Sequence, residues 1–154
     1  MTDTIETLPC VMIPMNERQL LLPNVSIAEV VDFVNTKEAQ AGPEWLAGNL
    51  EWRGLNLPII SYDAANGGEV TRPGGSRGRI IVLNTIGEYH DRIPFMALVT
   101  QGIPSQIRLT TEQVRKMKGE TGSADLMQVE VEGETAFIPD LGFLESLALQ
   151  ASGQ

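Results

Sequence analysis

The chain has 154 residues, 42% of them apolar and 20% charged, which fits one globular domain able to hold its own core. A net charge of −9 repels phosphate backbones and argues against DNA or RNA as a partner, and no apolar run reaches the roughly 20 residues of a membrane span. A single cysteine and a single histidine exclude an internal disulfide and a cysteine-built metal site, and Met1–Leu8 lacks the basic start and apolar stretch of a secretory signal, so the expected location is the cytoplasm.

The apolar pattern reads mostly as short strands. Cys10 to Met15 and Gln19 to Pro23 are apolar stretches separated by Asn16-Glu17-Arg18, a hairpin signal. Cys10 lies in the run Pro9-Cys10-Val11-Met12-Ile13, where a small buried thiol is the expectation. A catalytic Cys–His pair would have to join Cys10 to His90, and thiolate activation needs a base close by. Met12, Met15 and Met96 read as core filler. Ala39 to Leu46 has weak helical character, broken by Gly42-Pro43, and Leu55 to Tyr62 reads as a strand. The stretch Ala64 to Gly78 holds five glycines and one proline, and is expected to be an exposed, mobile loop. It lacks the Gly-Lys-Ser/Thr ending of a phosphate loop and no helix is evident behind it, so phosphate binding is not expected.

Arg79 to Asn84 and Ile93 to Thr100 are further strands. Thr110 followed by Gln113 forms a capping-box pattern, which predicts a helix running to about Lys118 and ended by Gly119. Leu126 to Val131 alternates in part, with Val129 and Val131 on one face; Glu132-Gly133-Glu134 then turns the chain into Thr135 to Ile138. Leu141, Leu144, Leu147 and Leu149 make the stripe of a closing amphipathic helix. Many short strands with closely spaced turns predict a mainly-β barrel or sandwich. Charge is uneven. A basic cluster (Arg108, Arg115, Lys116, Lys118) precedes a tail from Gly119 with seven acids and no Lys or Arg. These read as solvated faces; the sharper reading is an acidic face that steers a basic partner.

The most informative segment is Pro43 to Asp63, PEWLAGNLEWRGLNLPIISYD. Gly48 and Gly54 flank the strand Asn49–Trp52 and permit tight bends or close backbone approach. Trp45 and Leu46 anchor the chain before the first glycine. Arg53 sits at the tip of a tight Arg53-Gly54 turn, and Pro58 requires an edge or a bulge because it cannot donate to a ladder.

This pattern resembles the CheW family of bacterial chemosensory coupling proteins: Trp45-Leu46, Gly48, an apolar stretch ending in Arg53-Gly54, then Pro58 and Asp63. The segment Asn24 to Val30, with Glu29 at a characteristic glutamate, and the later strands extend the likeness over roughly residues 10 to 150. Val99-Thr100 stands where relatives usually carry Val-Asp, and Trp52 precedes the Arg-Gly where many have a smaller residue. These departures point to a divergent paralogue, of the kind found in systems controlling type IV pili and twitching motility.

The resemblance implies two five-stranded SH3-like β-barrels sharing a hydrophobic core, with a short internal helix and a C-terminal helix. It implies a single domain over residues 8–150 between flexible ends at 1–7 and 151–154. It also implies no catalytic activity, cofactor or metal. The implied partners are the regulatory domain of a CheA-type histidine kinase and the cytoplasmic tip of methyl-accepting chemoreceptors. The matching partner-binding positions are Ile27, Glu29, Val30, Leu50, Trp52, Arg53 and Gly54. Arg53 reads equally as a receptor contact or as a salt bridge to Glu29, and Trp52 as a partly exposed anchor. Two other classes stay open: an accessory module that binds the kinase and competes with a main adaptor, and a small enzyme built on carboxylates.

Overall fold

The computed structural model describes residues 6–16, 18–71 and 78–151. Strands β1 (Leu8–Met15) and β2 (Arg18–Pro23) form the expected antiparallel hairpin. A 3-10 turn at Asn24–Ser26 leads into β3 (Ile27–Val31), β4 (Thr36–Glu38), β5 (Leu46–Trp52), β6 (Leu55–Ile60) and a four-residue helix α1 (Tyr62–Ala65). Then come β7 (Ile80–Asn84), β8 (Phe95–Val99), β9 (Ser105–Leu109), a 3-10 turn at Thr111–Gln113, β10 (Val114–Met117), β11 (Asp125–Val131), β12 (Glu134–Pro139) and the closing helix α2 (Leu141–Ala151).

These strands make two six-stranded sheets. The first, in the order β10-β11-β12-β2-β1-β9, draws on both ends of the chain; the second, β3-β7-β8-β6-β5-β4, is built from its middle. The architecture is the mainly-β pair of curled units that the resemblance implies, with six strands in each. Among the described residues, three hydrophobic clusters hold it together. One lies within the second sheet (Leu50, Trp52, Ile59, Val82, Val99) and one within the first (Cys10, Met12, Leu21, Val129, Ala136). The largest joins the two: Ile13, Leu20 and Leu22 meet Tyr62, Ile81, Leu83 and Leu98, sealed by Leu144 and Leu147 of α2. Fully burying one such side chain contributes about 1.5–3 kcal/mol, so this shared core fixes one sheet against the other.

Two buried polar networks cross the same seam. Asp125 on β11 pairs with Arg18 of β2 and accepts from Tyr62 and Asn66 beyond β6. The Asp63 carboxylate accepts from the Thr71 hydroxyl and from the Asn16 amide in the first hairpin turn.

Several local expectations are corrected. The Thr110 capping box exists, with the Thr110 amide donating to Gln113 Oε1 at 2.7 Å, but it closes a single 3-10 turn. Val114–Met117 then pairs with Val131–Gln128 of β11 as a strand, since a free sheet edge beside it offers more hydrogen bonds and burial than an isolated helix would. Ala39–Leu46 forms no helix: Ala39–Trp45 is irregular, and Leu46 opens β5. The strand expected over Leu55–Tyr62 ends at Ile60, and Tyr62 begins α1, so a short helix does follow that strand. Gly48 marks close approach and not a bend. A Cβ there would lie 2.1 Å from the Lys37 carbonyl oxygen of β4. Pro58 sits in an internal strand, where pairing to β8 is confined to Ile59 and Ile60. The glycine-rich stretch is pinned at its middle, where the buried Thr71 bonds Ser61 and Asp63. Residues 72–77 of that expected loop lie outside the described residues.

Candidate functional site

The β5–β6 hairpin closes on two residues, Arg53 (φ 49°) and Gly54 (φ 79°), between the paired Trp52 and Leu55. Both turn residues are left-handed, the signature of a type I′ turn whose twist matches the flanking strands. Glycine adopts this conformation freely; an L side chain such as arginine bears roughly 1–2 kcal/mol of strain.

Arg53 is held there by two contacts. Its guanidinium carbon lies 4.6 Å from the centroid of the Trp52 ring, and Nη2 sits 3.2 Å from Glu29 Oε1. The same Glu29 oxygen accepts from Trp52 Nε1–H at 2.9 Å. Glu29 belongs to β3, at the edge of the second sheet, with three strands between it and β5 in the sheet order. These contacts therefore draw the edge strand onto the hairpin and curl the sheet. A bulge assists. Ile27 pairs with Leu83 but Glu29 pairs with Val82, so the register slips by one between them. That slip turns Glu29 toward the side where Ala28 and Val31 pack with Trp52's cluster.

The sequence-predicted positions divide accordingly. Glu29 and Arg53 come together on the surface, with 41% and 68% of their side chains exposed. Val30 is 43% exposed, Gly54 is exposed and Ile27 half-buried. Leu50 and Trp52 are core residues. Trp52 is only 7% exposed and packs edge-to-face on Phe95 at 4.8 Å, which corrects its reading as a partly exposed anchor. Alternation carried the signal: in Leu50-Glu51-Trp52 the outer two point inward and Glu51 outward. Leu55, 40% exposed across the turn from Trp52, belongs to this surface and was not predicted.

Energetically the Trp52 bond outranks the ion pair. An exposed Arg–Glu pair contributes about 0–1 kcal/mol, whereas a partly buried hydrogen bond to a charged group contributes about 1.5–3 kcal/mol.

Other candidate groups are placed differently. Burial pushes the Cys10 thiol up, and it lines an apolar groove of about 480 Å³ with Leu21, Leu109 and Ile138. His90 bonds Thr85 through Nδ1. The acidic tail is not one solvated face. Asp125 and Glu145 are buried, and Asp140 accepts from the Phe143 amide at the start of α2. Glu145 accepts from the amides of Ile86 (2.9 Å) and Gly87 (2.8 Å). Burial pushes the Asp125 carboxyl up, but hydrogen bonds from Tyr62, Gly122, Arg18 and Asn66 outweigh it and leave the group below the ordinary carboxylate range. Thr100, standing where relatives carry an acid, is buried and used internally: its hydroxyl donates to Gly102 O and accepts from the Arg79 amide. Among the described residues no helix is long and apolar enough to cross a membrane, and no cluster of His, Cys, Asp and Glu could hold a metal ion.

Compared with known proteins, a family model described as CheW-like domain matches residues 9–146. No curated protein matches the chain significantly. Among solved structures the chain is similar to the scaffolding protein TtCheW from Thermoanaerobacter tengcongensis, at 20% sequence identity, with 90% of this chain and 92% of that one covered and a TM-score of 0.72. At that identity the likeness speaks to the fold.

Proposed function

The chain belongs to the CheW-like family, and from that premise we propose that it is a non-catalytic adaptor coupling chemoreceptors to a CheA-type histidine kinase. The observation that carries this reading is the family match across residues 9–146. The similar solved structure is described as a scaffolding protein, which agrees with it. The partners are the kinase's regulatory domain and the cytoplasmic tip of a membrane-bound receptor, to whose arrays the adaptor is recruited. The divergence at Trp52 and Thr100 favours a system controlling pilus-driven surface motility.

Physically, an adaptor acts by making contacts that differ between kinase-on and kinase-off arrangements. The contact surface is the edge strand and the turn it holds: Ile27, Glu29, Val30, Arg53 and Gly54, with Leu55 beside them. Leu50 and Trp52 support this surface from beneath. Apolar side chains next to a fixed charge pair suit a transient contact of about 1,200 Å² or less, strengthened by repetition in an array.

The test is co-sedimentation of the purified protein with a CheA-type kinase and receptor fragments from the same genome, alongside Arg53→Gly. The adaptor reading expects binding to both, with receptor binding weakened by the substitution. Binding to neither defeats it. Binding to the kinase alone would replace it with the competing accessory module.

A further inference from the structure

We infer that Trp52 is a positioning residue for the coupling surface: its indole N–H fixes Glu29, and through Glu29 the exposed Arg53. The inference rests on the proposed role of that surface.

Trp52 has two separable jobs. Its ring fills the second sheet's core against Phe95. A phenylalanine would do most of that and would still offer a face to the Arg53 guanidinium, which lies 4.6 Å from the ring centroid. The indole N–H does something else. A buried indole N–H needs an acceptor, and this one uses a carboxylate oxygen on a strand at the far edge of the sheet. The bulge between Ile27 and Glu29 is what brings that oxygen within 2.9 Å.

One oxygen of Glu29 thus serves both Trp52 Nε1 and Arg53 Nη2. Arg53 alone could not hold Glu29 in place. Its side chain is 68% exposed and the pair is open to solvent, so without the indole both side chains would sample several rotamers. With it, the carboxylate is anchored on its buried side and the guanidinium is sandwiched between a ring face and a fixed charge. A partner then meets an arginine whose ordering entropy has already been lost on folding.

The experiment compares Trp52→Phe, Glu29→Gln, their double variant and Arg53→Gly, with a receptor cytoplasmic hairpin fragment as the probe. Trp52→Phe should weaken binding roughly five- to tenfold, and the double variant should bind no more weakly than Glu29→Gln alone, the non-additivity expected of groups acting in series. A partner-free readout accompanies it. The ¹H–¹⁵N resonance of the Trp52 indole should keep its wild-type position in Arg53→Gly and move in Glu29→Gln, which removes the charged acceptor 2.9 Å away. If Arg53→Gly weakens binding and Trp52→Phe does not, or if the indole resonance ignores Glu29, the positioning role is overturned while the surface stands. If Arg53→Gly leaves binding unchanged, the surface itself is wrong.

Discussion

The hydroxyl of Tyr62 lies 2.5 Å from Asp125 Oδ1, across the seam between the two sheets. Its single proton goes to that carboxylate, although the Ala124 carbonyl is also near, at 2.9 Å. The same carboxylate takes Arg18 Nη1 at 2.6 Å, Asn66 Nδ2 at 3.1 Å and the Gly122 amide at 2.8 Å. Burial and the adjoining carboxylate push the Tyr62 hydroxyl well above the ordinary tyrosine range, so it remains a donor at any working pH. A charge buried this deeply is tolerable because every oxygen is satisfied.

Asp125→Ala should therefore destabilise the protein by about 3–5 kcal/mol, since it takes the acceptor from Arg18, Asn66 and the Gly122 amide and leaves the Tyr62 hydroxyl only the Ala124 carbonyl. Asp125→Asn should cost less. The pH dependence has a definite sign. The folded carboxyl titrates below its unfolded value of about 3.9, so its contribution is present above that pH and fades as pH falls through the folded value. Urea denaturation of wild type and Asp125→Asn should show a gap that is constant near neutrality and narrows below about pH 4. A gap that widens on acidification would contradict the assignment.

Gly48→Ala tests the close approach of β4 to β5. The added Cβ would sit 2.1 Å from the Lys37 carbonyl oxygen, and a backbone atom in a ladder cannot step aside as a side chain would. The expected loss is on the order of 2–3 kcal/mol, with amide exchange rising in Thr36–Glu38 before it rises elsewhere. A loss under 0.5 kcal/mol would mean that β4 is not docked there.

What the sequence revealed was what short-range pattern encodes. Both hairpin turns that end in glycine, Arg53-Gly54 and Glu132-Gly133, were legible because left-handed backbone leaves a residue signature, and both pairs have positive φ. The stripe of α2 was legible for the same reason. The strand β3 leaves no such trace, because its bulge breaks the alternation that would announce it. The strand β10 was masked by a true capping box whose helix lost to the neighbouring sheet edge. Asp125 and Glu145 looked like surface acids, since the groups that satisfy them, Arg18 and the Ile86–Gly87 amides, are 107, 59 and 58 residues away. At the site, the Glu29–Arg53 salt bridge is one of the two readings that the resemblance leaves open for the arginine, and the ion pair is present; the Trp52 bond has no such signal, because the enrichment of aromatics in binding surfaces suggests exposure where the strand register buries the ring.

Glu145 carries the next prediction. It is fully buried on α2 and takes the amides of Ile86 and Gly87 with one oxygen each. Glu145→Gln replaces one acceptor with a donor facing an N–H, at a cost of about 1–3 kcal/mol. Gly87→Ala attacks the same contact from the other side, because its Cβ would lie 2.8 Å from Glu145 Oε1. Both should raise hydrogen exchange at residues 86 and 87, and the two effects should be strongly non-additive in the double variant.

The Arg53-Gly54 turn allows fold and surface to be separated by two substitutions. Gly54→Ala meets no atom within 4 Å, so its cost is the backbone strain of φ 79° alone, about 1–2 kcal/mol, with the Arg53 side chain untouched. Arg53→Gly relieves a similar strain at φ 49° while losing an exposed ion pair of about 0–1 kcal/mol, a cation–π contact of about 0.5–1 kcal/mol and some unfolded-chain rigidity. These terms nearly cancel, and the melting temperature of Arg53→Gly should stay within a few degrees of wild type. Receptor binding should move the opposite way: preserved per folded molecule in Gly54→Ala, reduced in Arg53→Gly. If instead Arg53→Gly lowers stability by several kcal/mol and leaves affinity per folded molecule intact, the arginine is a brace between β3 and the hairpin and the docking surface lies elsewhere.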